Sequence, residues 1–526
     1  MMRQNIRRIS LLLVLVTPWI TSANAQDKNL DCEKAHRLLT TAQKAIDARD
    51  SVTAIQELNQ ATQIAPRCAH AYLLLGLTEF HFNATADAIQ HYQQAIQLEP
   101  RSYSAHYDLA LAYLKEEKLD EARAQLEEAE KLDPNQADAA YNLAIVLQET
   151  GHPAQALLKF RRARLLNPKR ADVAFNIVRT ELDLGQVAAA RTDARDAATH
   201  FGTDAQWCAA IGQVFLKAGQ PREAVSYLQE AFRSRPDDAE LRHQLAIAHL
   251  QAGQADEVLR TIPDPKTSDD HYLRGSAYYL SHRFPEADRE SRRALDLAPD
   301  SPQILVLRTR LLQRAGNQDE ALQTARRAIS LAPDWDQPYY LAGVSSYLLR
   351  LYEEAVKSLA RALELNPKSA RTLFVQYIAF ANLGKLDDAE SSLHRAIALQ
   401  PTNARLYCHL GILFEREDKN EEAERLFRKA IQLKPEYALS HYELGKLLAS
   451  SDHLRPATFE LEQAIRYDKG LSAAYYQLGR IYTKLGETEK SERMLAEFRR
   501  LHKEDLQDPH DDQTREDDAK QETEAQ

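Results

Sequence analysis

Proline recurs every 34 residues along this chain, and no single globular core can be laid over so regular a stop signal. Pro66, Pro100, Pro134, Pro168 and, past Gly202, Pro236 share one phase; Pro265, Pro299, Pro333, Pro367, Pro401 and Pro435 share another, offset because Pro236 and Pro265 are 29 residues apart. Proline removes a backbone donor and biases the residue before it away from helix, so each marks where a helical segment ends. Between two stops, Tyr103 to Gln136 places apolar residues at Leu109, Leu111 and Tyr113 and again at Ala122, Leu126 and Ala129. Spacings of three and four make each half an amphipathic helix, with Lys118 to Asp120 as the turn. Counting from Ala35 gives fourteen such units, starting at residues 35, 69, 103, 137, 171, 205, 239, 268, 302, 336, 370, 404, 438 and 472.

Small residues keep the same register. Of sixteen glycines, seven sit at position 8 of a unit (Gly76 to Gly479) and seven at position 15 (Gly151 to Gly486). Glycine at position 8 admits a close helix, and at position 15 it can take the positive φ of a helix C-terminus. Positions 20 and 27 are each alanine in twelve units, leaving room for large residues such as Tyr92, Phe160, Leu228 and Phe427 at position 24. This order over 34-residue helix pairs resembles the tetratricopeptide repeat family. The resemblance implies an all-α fold, a right-handed superhelical solenoid of about fourteen antiparallel helix pairs. Repeat 7 is five residues short, and Pro263 and Pro265 cut its second helix to half length, so the array is divided there into residues 35–267 and 268–502. A kink or hinge is expected at that point.

The ends read differently. Arg3, Arg7 and Arg8, an apolar run from Ile9 to Ile20, and Ala23-Asn24-Ala25 predict a secretory signal peptide over residues 1–25, with 26–34 as a lead-in. Twelve residues interrupted by Thr17 and Pro18 fall short of the roughly 20 that span a bilayer. The chain is thus expected to be periplasmic or secreted, with no membrane span after cleavage. Loss of the three arginines takes the formal charge from −10 to −13, of which −7 lies in residues 503–526. That acidic stretch is too polar to fold alone and is predicted to be disordered. The remaining −6 on the repeats offers no basic surplus for binding nucleic acid. Of four cysteines, Cys32 and Cys68 flank the first helix pair, whose antiparallel packing would bring them together as a disulfide. Cys208 and Cys408 are too far apart along the repeats to bridge.

Catalytic signatures are missing in a definable way. There is no G-x-G-x-x-G, no phosphate-binding loop, no C-x-x-C, no H-E-x-x-H and no G-x-S-x-G. Asp269-Asp270-His271 opens a helix, where acids are ordinary first-turn residues. The chain is read as a non-enzyme with no cofactor and no metal.

What remains is a surface. In the family it resembles, the inner groove is lined by the first helix of each unit, at positions 2, 5, 6, 9, 12 and 13. Position 5 is aromatic at Tyr107, Tyr141, Phe175, Tyr272, Tyr340, Phe374, Tyr442 and Tyr476, and position 6 carries Asp108, Asn142 and Asn176. These last resemble the start of an asparagine ladder that holds a partner's backbone, broken later by Ala210, Gln244, Leu273 and Leu307. Groove charge is divided. Repeats 1–7 hold Asp47, Asp108, Asp138, Glu149, Asp172, Asp183 and Glu240 against Lys115, Arg179 and Lys217, a net of −4. Repeats 8–14 hold Arg310, Arg314, Arg371, Arg405, Arg416, Lys446, Arg480 and Lys484 against Asp269, Glu415 and Glu443, a net of +5. A charged wall steers oppositely charged partners, so an acidic ligand is expected to prefer the second half. The acidic stretch 503–526 is itself a candidate competitor for that half-groove.

The leading function is an exported scaffold that binds another protein, or an extended peptide segment of one, in its groove. Two alternatives stay open: a cell-envelope assembly or polysaccharide-export factor engaging glycan or an outer-membrane machine, and a regulatory subunit of a separate enzyme.

Overall fold

The computed structural model describes residues 30–507; the segment read as a signal peptide (1–25) and most of the acidic tail (508–526) lie outside that span. Among the described residues there are 29 α-helices and no strand. After a short helix, Leu30–Lys34, they form fourteen consecutive pairs, a first helix (A) and a second (B) in each repeat. Repeat 3 is typical, with helix A over Tyr103–Lys115 and helix B over Leu119–Leu132. Lys503 to Gln507, assigned above to the tail, continue helix B of repeat 14, Thr488–Gln507.

The turn between A and B explains why the period is so strict. Position 15 has a positive φ in every repeat, whether the residue is glycine or not: Gly219 at 68°, but also Glu117 at 56° and Arg350 at 61°. The left-handed residue ends helix A and re-aims the chain for helix B, as at a helix C-terminus. Starts are fixed by side chains where loops supply them. Asp204 accepts from the backbone N–H of Gln206 and Trp207, and Thr267 with Asp270 forms a reciprocal capping box.

The core is a row of small-on-large contacts within each pair. A Cβ on Gly212 would lie 2.6 Å from Leu228, one on Gly411 2.6 Å from Phe427, and one on Gly445 2.7 Å from Leu461. Position 24 therefore sits directly over position 8 of its own repeat, flanked by fully buried alanines such as Ala156 and Ala163 in repeat 4. Neighbouring repeats are tied by buried polar groups. Arg161 reaches the fully buried Glu181 of repeat 5 at 2.6 Å, and Arg164 reaches Asp193 at 2.7 Å. His441 donates to the Pro435 carbonyl at 2.8 Å and pairs with Glu460 at 2.7 Å. Burial presses the His441 pKa down, but these two partners outweigh it and raise the pKa overall.

Cys32 and Cys68 are joined in a disulfide with Cα atoms 4.9 Å apart. Cys208 and Cys408 are buried outside any disulfide.

Two compact blocks divide between Gln254 and Ala255. The division falls inside repeat 7, between helix A (Ala239–Gln251) and helix B (Ala255–Thr261), and not after residue 267 as the sequence reading places it. Helix B here has only seven residues, too few to cover a whole partner helix. It belongs with repeat 8: Arg274, on helix Ser268–Leu280, donates to the Ile262 carbonyl at 2.6 Å just beyond its end.

Candidate interaction surface

In the N-terminal block the helix-A positions of repeats 3 to 5 are bonded to one another. Asn142 donates to the Tyr107 hydroxyl at 2.9 Å, and Asn176 to the Tyr141 hydroxyl at 3.3 Å and the Asp172 carbonyl at 3.0 Å. These ladder positions bond within the protein: Asn176 donates twice and is buried, and Asn142 spends one of its two amide N–H groups on Tyr107. Asp108, at position 6 of repeat 3, is half-buried, and desolvation pushes its carboxyl up to about 7. Arg170 stacks over Tyr141 at 4.2 Å and is bound at 2.6 Å by each of Asp138 and Asp172. Arg179 lies over Phe175 at 5.9 Å and donates to Gln148 at 2.7 Å.

The C-terminal block repeats the stacking. Arg371 covers Tyr340 at 3.9 Å, Arg405 covers Phe374 at 4.3 Å, and Arg314 covers Phe284 at 4.0 Å. Tyr340 and Phe374, read above as groove aromatics, are only 2% and 0% exposed. They are core residues whose outer faces are roofed by guanidinium, because the position-5 ring is large enough to reach the packing layer. Gln337, with its amide oriented by its hydrogen bonds, accepts from Arg310 Nη2 at 3.1 Å and Arg371 Nη2 at 3.2 Å. Burial lowers the Arg310 pKa, and the other groups facing it are Tyr279, Arg371, Tyr272 and Tyr340. Among the described residues no carboxylate pairs with Arg310.

Further along, Lys446 meets the two acids already counted in this half of the groove. It pairs with Glu443 and with Glu415, the latter at 3.1 Å, so its charge is cancelled locally. Arg416 and Tyr442 line a cavity of about 230 Å³, walled also by Tyr377, Ile378, Ile412, Leu439, Glu443 and Leu471. Tyr476 is exposed and lies under Arg480 at 5.7 Å. The Asp269-Asp270-His271 run is structural: Asp270 caps its helix and His271 pairs with Glu290 at 2.6 Å. Among the described residues no group of three or more His, Cys, Asp or Glu could hold a metal, and no helix is long and apolar enough to cross a membrane.

A family model described as tetratricopeptide repeat matches residues 22–105, 141–205, 272–338, 340–404 and 374–438. The chain belongs to the tetratricopeptide repeat family. Two further models of the same description match 79–145 with 215–272, and 472–497. Comparison with curated protein sequences gives no match. Among solved structures, this tetratricopeptide repeat chain is similar to the APC/C hetero-tetramer Cut9-Hcn1, at 13% identity and TM-score 0.42 over 86% of this chain and 97% of that one. It is similar to yeast Tom70 at 17% identity and TM-score 0.36, over 84% and 93%. It is also similar to YrrB, a TPR protein with an unusual peptide-binding site, at 21% identity and TM-score 0.32, over 35% and 94%. Tetratricopeptide repeats across the chain give it the architecture of a protein-interaction scaffold.

Proposed function

We propose that this tetratricopeptide repeat protein is an exported, non-enzymatic scaffold that holds an extended segment of another protein against its helix-A face. One observation carries the reading. The 230 Å³ cavity takes its lining from four successive helices A, Ala370–Asn382, Ala404–Arg416, Ala438–Ser450 and Ser472–Lys484, with Leu471 added from a loop. A recess built across four repeats, apolar at Ile378, Ile412, Leu439 and Leu471 and polar at Asn382, His409, Arg416 and Glu443, suits a side chain carried on an extended chain better than a small free solute. Export is supported by Arg3, Arg7 and Arg8 ahead of the apolar run, and by a disulfide closing the first helix pair, which fits an oxidising compartment.

The test is site-specific photocrosslinking in cells. A benzophenone side chain replacing Arg416 should trap a protein in the envelope or secreted fraction, whereas one replacing the exposed Phe459 on helix B should not. Trapping from Phe459 alone would move the partner surface to the other face. N-terminal sequencing of the same material should start after Ala25.

A further inference from the structure

If the helix-A face holds an extended segment of another protein, the wall of its cavity selects the side chain that enters. Glu443 is part of that wall and is only 7% exposed. Lys446 bonds one of its carboxylate oxygens, Oε2, and divides itself with Glu415 at 3.1 Å. The other oxygen, Oε1, has no partner among the described residues and is not sealed in by protein atoms. The cavity is therefore the way to it. A largely buried carboxylate oxygen without a donor is costly, and a donor brought to it in a poorly hydrated recess is worth more than one at the surface. Desolvation accordingly raises the Glu443 pKa against the pull of Lys446.

The donor that fits is carried on a ring. Tyr377, His409 and Tyr442 bring one ring each from three successive helices A, Ala370–Asn382, Ala404–Arg416 and Ala438–Ser450, and Tyr377 meets His409 edge-on at 5.6 Å. Such walls favour a further ring, packed offset or edge-to-face against them. At about 230 Å³ the cavity has room for one, since an apolar cavity of about 150 Å³ already takes benzene. Charged side chains fit worse. A lysine would enter past Arg416, in the same wall, toward a carboxylate that already holds Lys446, and an acid would face Glu443 itself. A phenol hydroxyl donates one hydrogen bond and brings no charge, whereas phenylalanine fills the volume and leaves Oε1 unbonded. We propose that the cavity of the C-terminal block is a tyrosine pocket: a tyrosine of the extended partner segment sets its ring among the apolar and aromatic walls and donates its hydroxyl to Glu443 Oε1.

Fluorescence anisotropy of the full chain with labelled short Gly–Ser peptides tests this. Each peptide carries one Glu, to suit the net positive groove of this half, and one variable residue. Tyr should bind about tenfold more tightly than Phe, and Leu and Lys more weakly than Phe. Glu443→Gln, which leaves Lys446 on Glu415, should shrink the Tyr-over-Phe ratio to about threefold or less while Phe binds as before, its fold checked by circular dichroism. Ile412→Phe, which fills the recess from helix Ala404–Arg416, should weaken both peptides. Tyr binding no tighter than Phe on wild type, a ratio unchanged in Glu443→Gln, or Ile412→Phe without effect overturns the proposal; the wild-type comparison decides alone where a variant does not fold. So does maltoheptaose that displaces the Tyr peptide, which would assign the cavity to a glycan. Failure here is separable from failure of the scaffold reading. Crosslinks from position 416 that persist while Tyr and Phe peptides bind alike remove the tyrosine selection alone; their absence removes the scaffold reading and this one with it.

Discussion

Tyr141 and Tyr340 hold the same position in repeats 4 and 10, and each carries a guanidinium on its face, Arg170 at 4.2 Å and Arg371 at 3.9 Å. Their surroundings differ in what the repeat positions around them supply. In the N-terminal block position 2 supplies Asp138 and Asp172, which bind Arg170 from both sides at 2.6 Å. In the C-terminal block position 2 supplies Gln337 and Arg371 itself, and Arg310 joins them. The first arrangement sets one guanidinium between two carboxylates; the second sets two guanidiniums on one amide oxygen. Stacking and backbone are common to both, so the electrostatic character of each face is decided by residues the fold does not need.

The largest effect should come from converting one arrangement into the other. Gln337→Asp places a carboxylate between the two guanidiniums, as Asp138 and Asp172 flank Arg170, and should slow amide exchange in helix Asp336–Leu348 by roughly 1.5–3 kcal/mol. Asp138→Gln leaves Asp172 on Arg170 and should cost less than about 1 kcal/mol. Packing ought to be indifferent to this contrast. Gly411→Ala, whose Cβ would meet Phe427 at 2.6 Å, and Ala163→Leu each overfill one interface, and each should cost roughly 1–3 kcal/mol. Because repeat arrays do not unfold as one unit, local amide exchange in repeats 12 and 4 is the readout.

A pH effect is expected on the N-terminal side of the comparison. The Asp108 carboxyl is pushed up to about 7 by burial, above its unfolded value near 3.9. Stability from the protonated form is complete below the unfolded value and is lost as pH rises through about 7, since the folded state then holds a buried charge. Asp108→Asn should therefore leave exchange in helix Tyr103–Lys115 unchanged at pH 4 and slow it at pH 8, by on the order of 1–2 kcal/mol. The smallest effects concern position 15 and should again ignore the division. Gly219→Ala should cost about 1 kcal/mol and Arg350→Gly should gain about as much, because both positions hold a left-handed residue. Equal signs for the two would show that the turn is not the constraint.

Period, pairing and the family were legible because proline, glycine and alanine report backbone stops and close contacts directly. Seven position-15 glycines announced the turn; Arg49, Glu117 and Arg350 did not, since their left-handed φ is imposed by the packed pair and leaves no trace in residue type. The bulk at position 24 was expected beside the alanines, but its nearest gap is position 8, visible only once the helices are docked. At the candidate surface a tally of charges counted Lys446, Glu443 and Glu415 but could not show that they pair, since the two acids come from different repeats. Gln337 was missed because it is neutral. The signal was available in the register, where it occupies position 2 one repeat before Arg371.

Where an acidic peptide lands on the full-length protein tests the account most directly. A short Gly–Ser peptide carrying Glu and photoleucine should crosslink to helices Ala370–Asn382, Ala404–Arg416 and Ala438–Ser450, which carry Ile378, Ile412 and Leu439 of the cavity. Crosslinks on helix Ala137–Glu149 or helix Ala171–Asp183, where Arg170 is already neutralised, would contradict it.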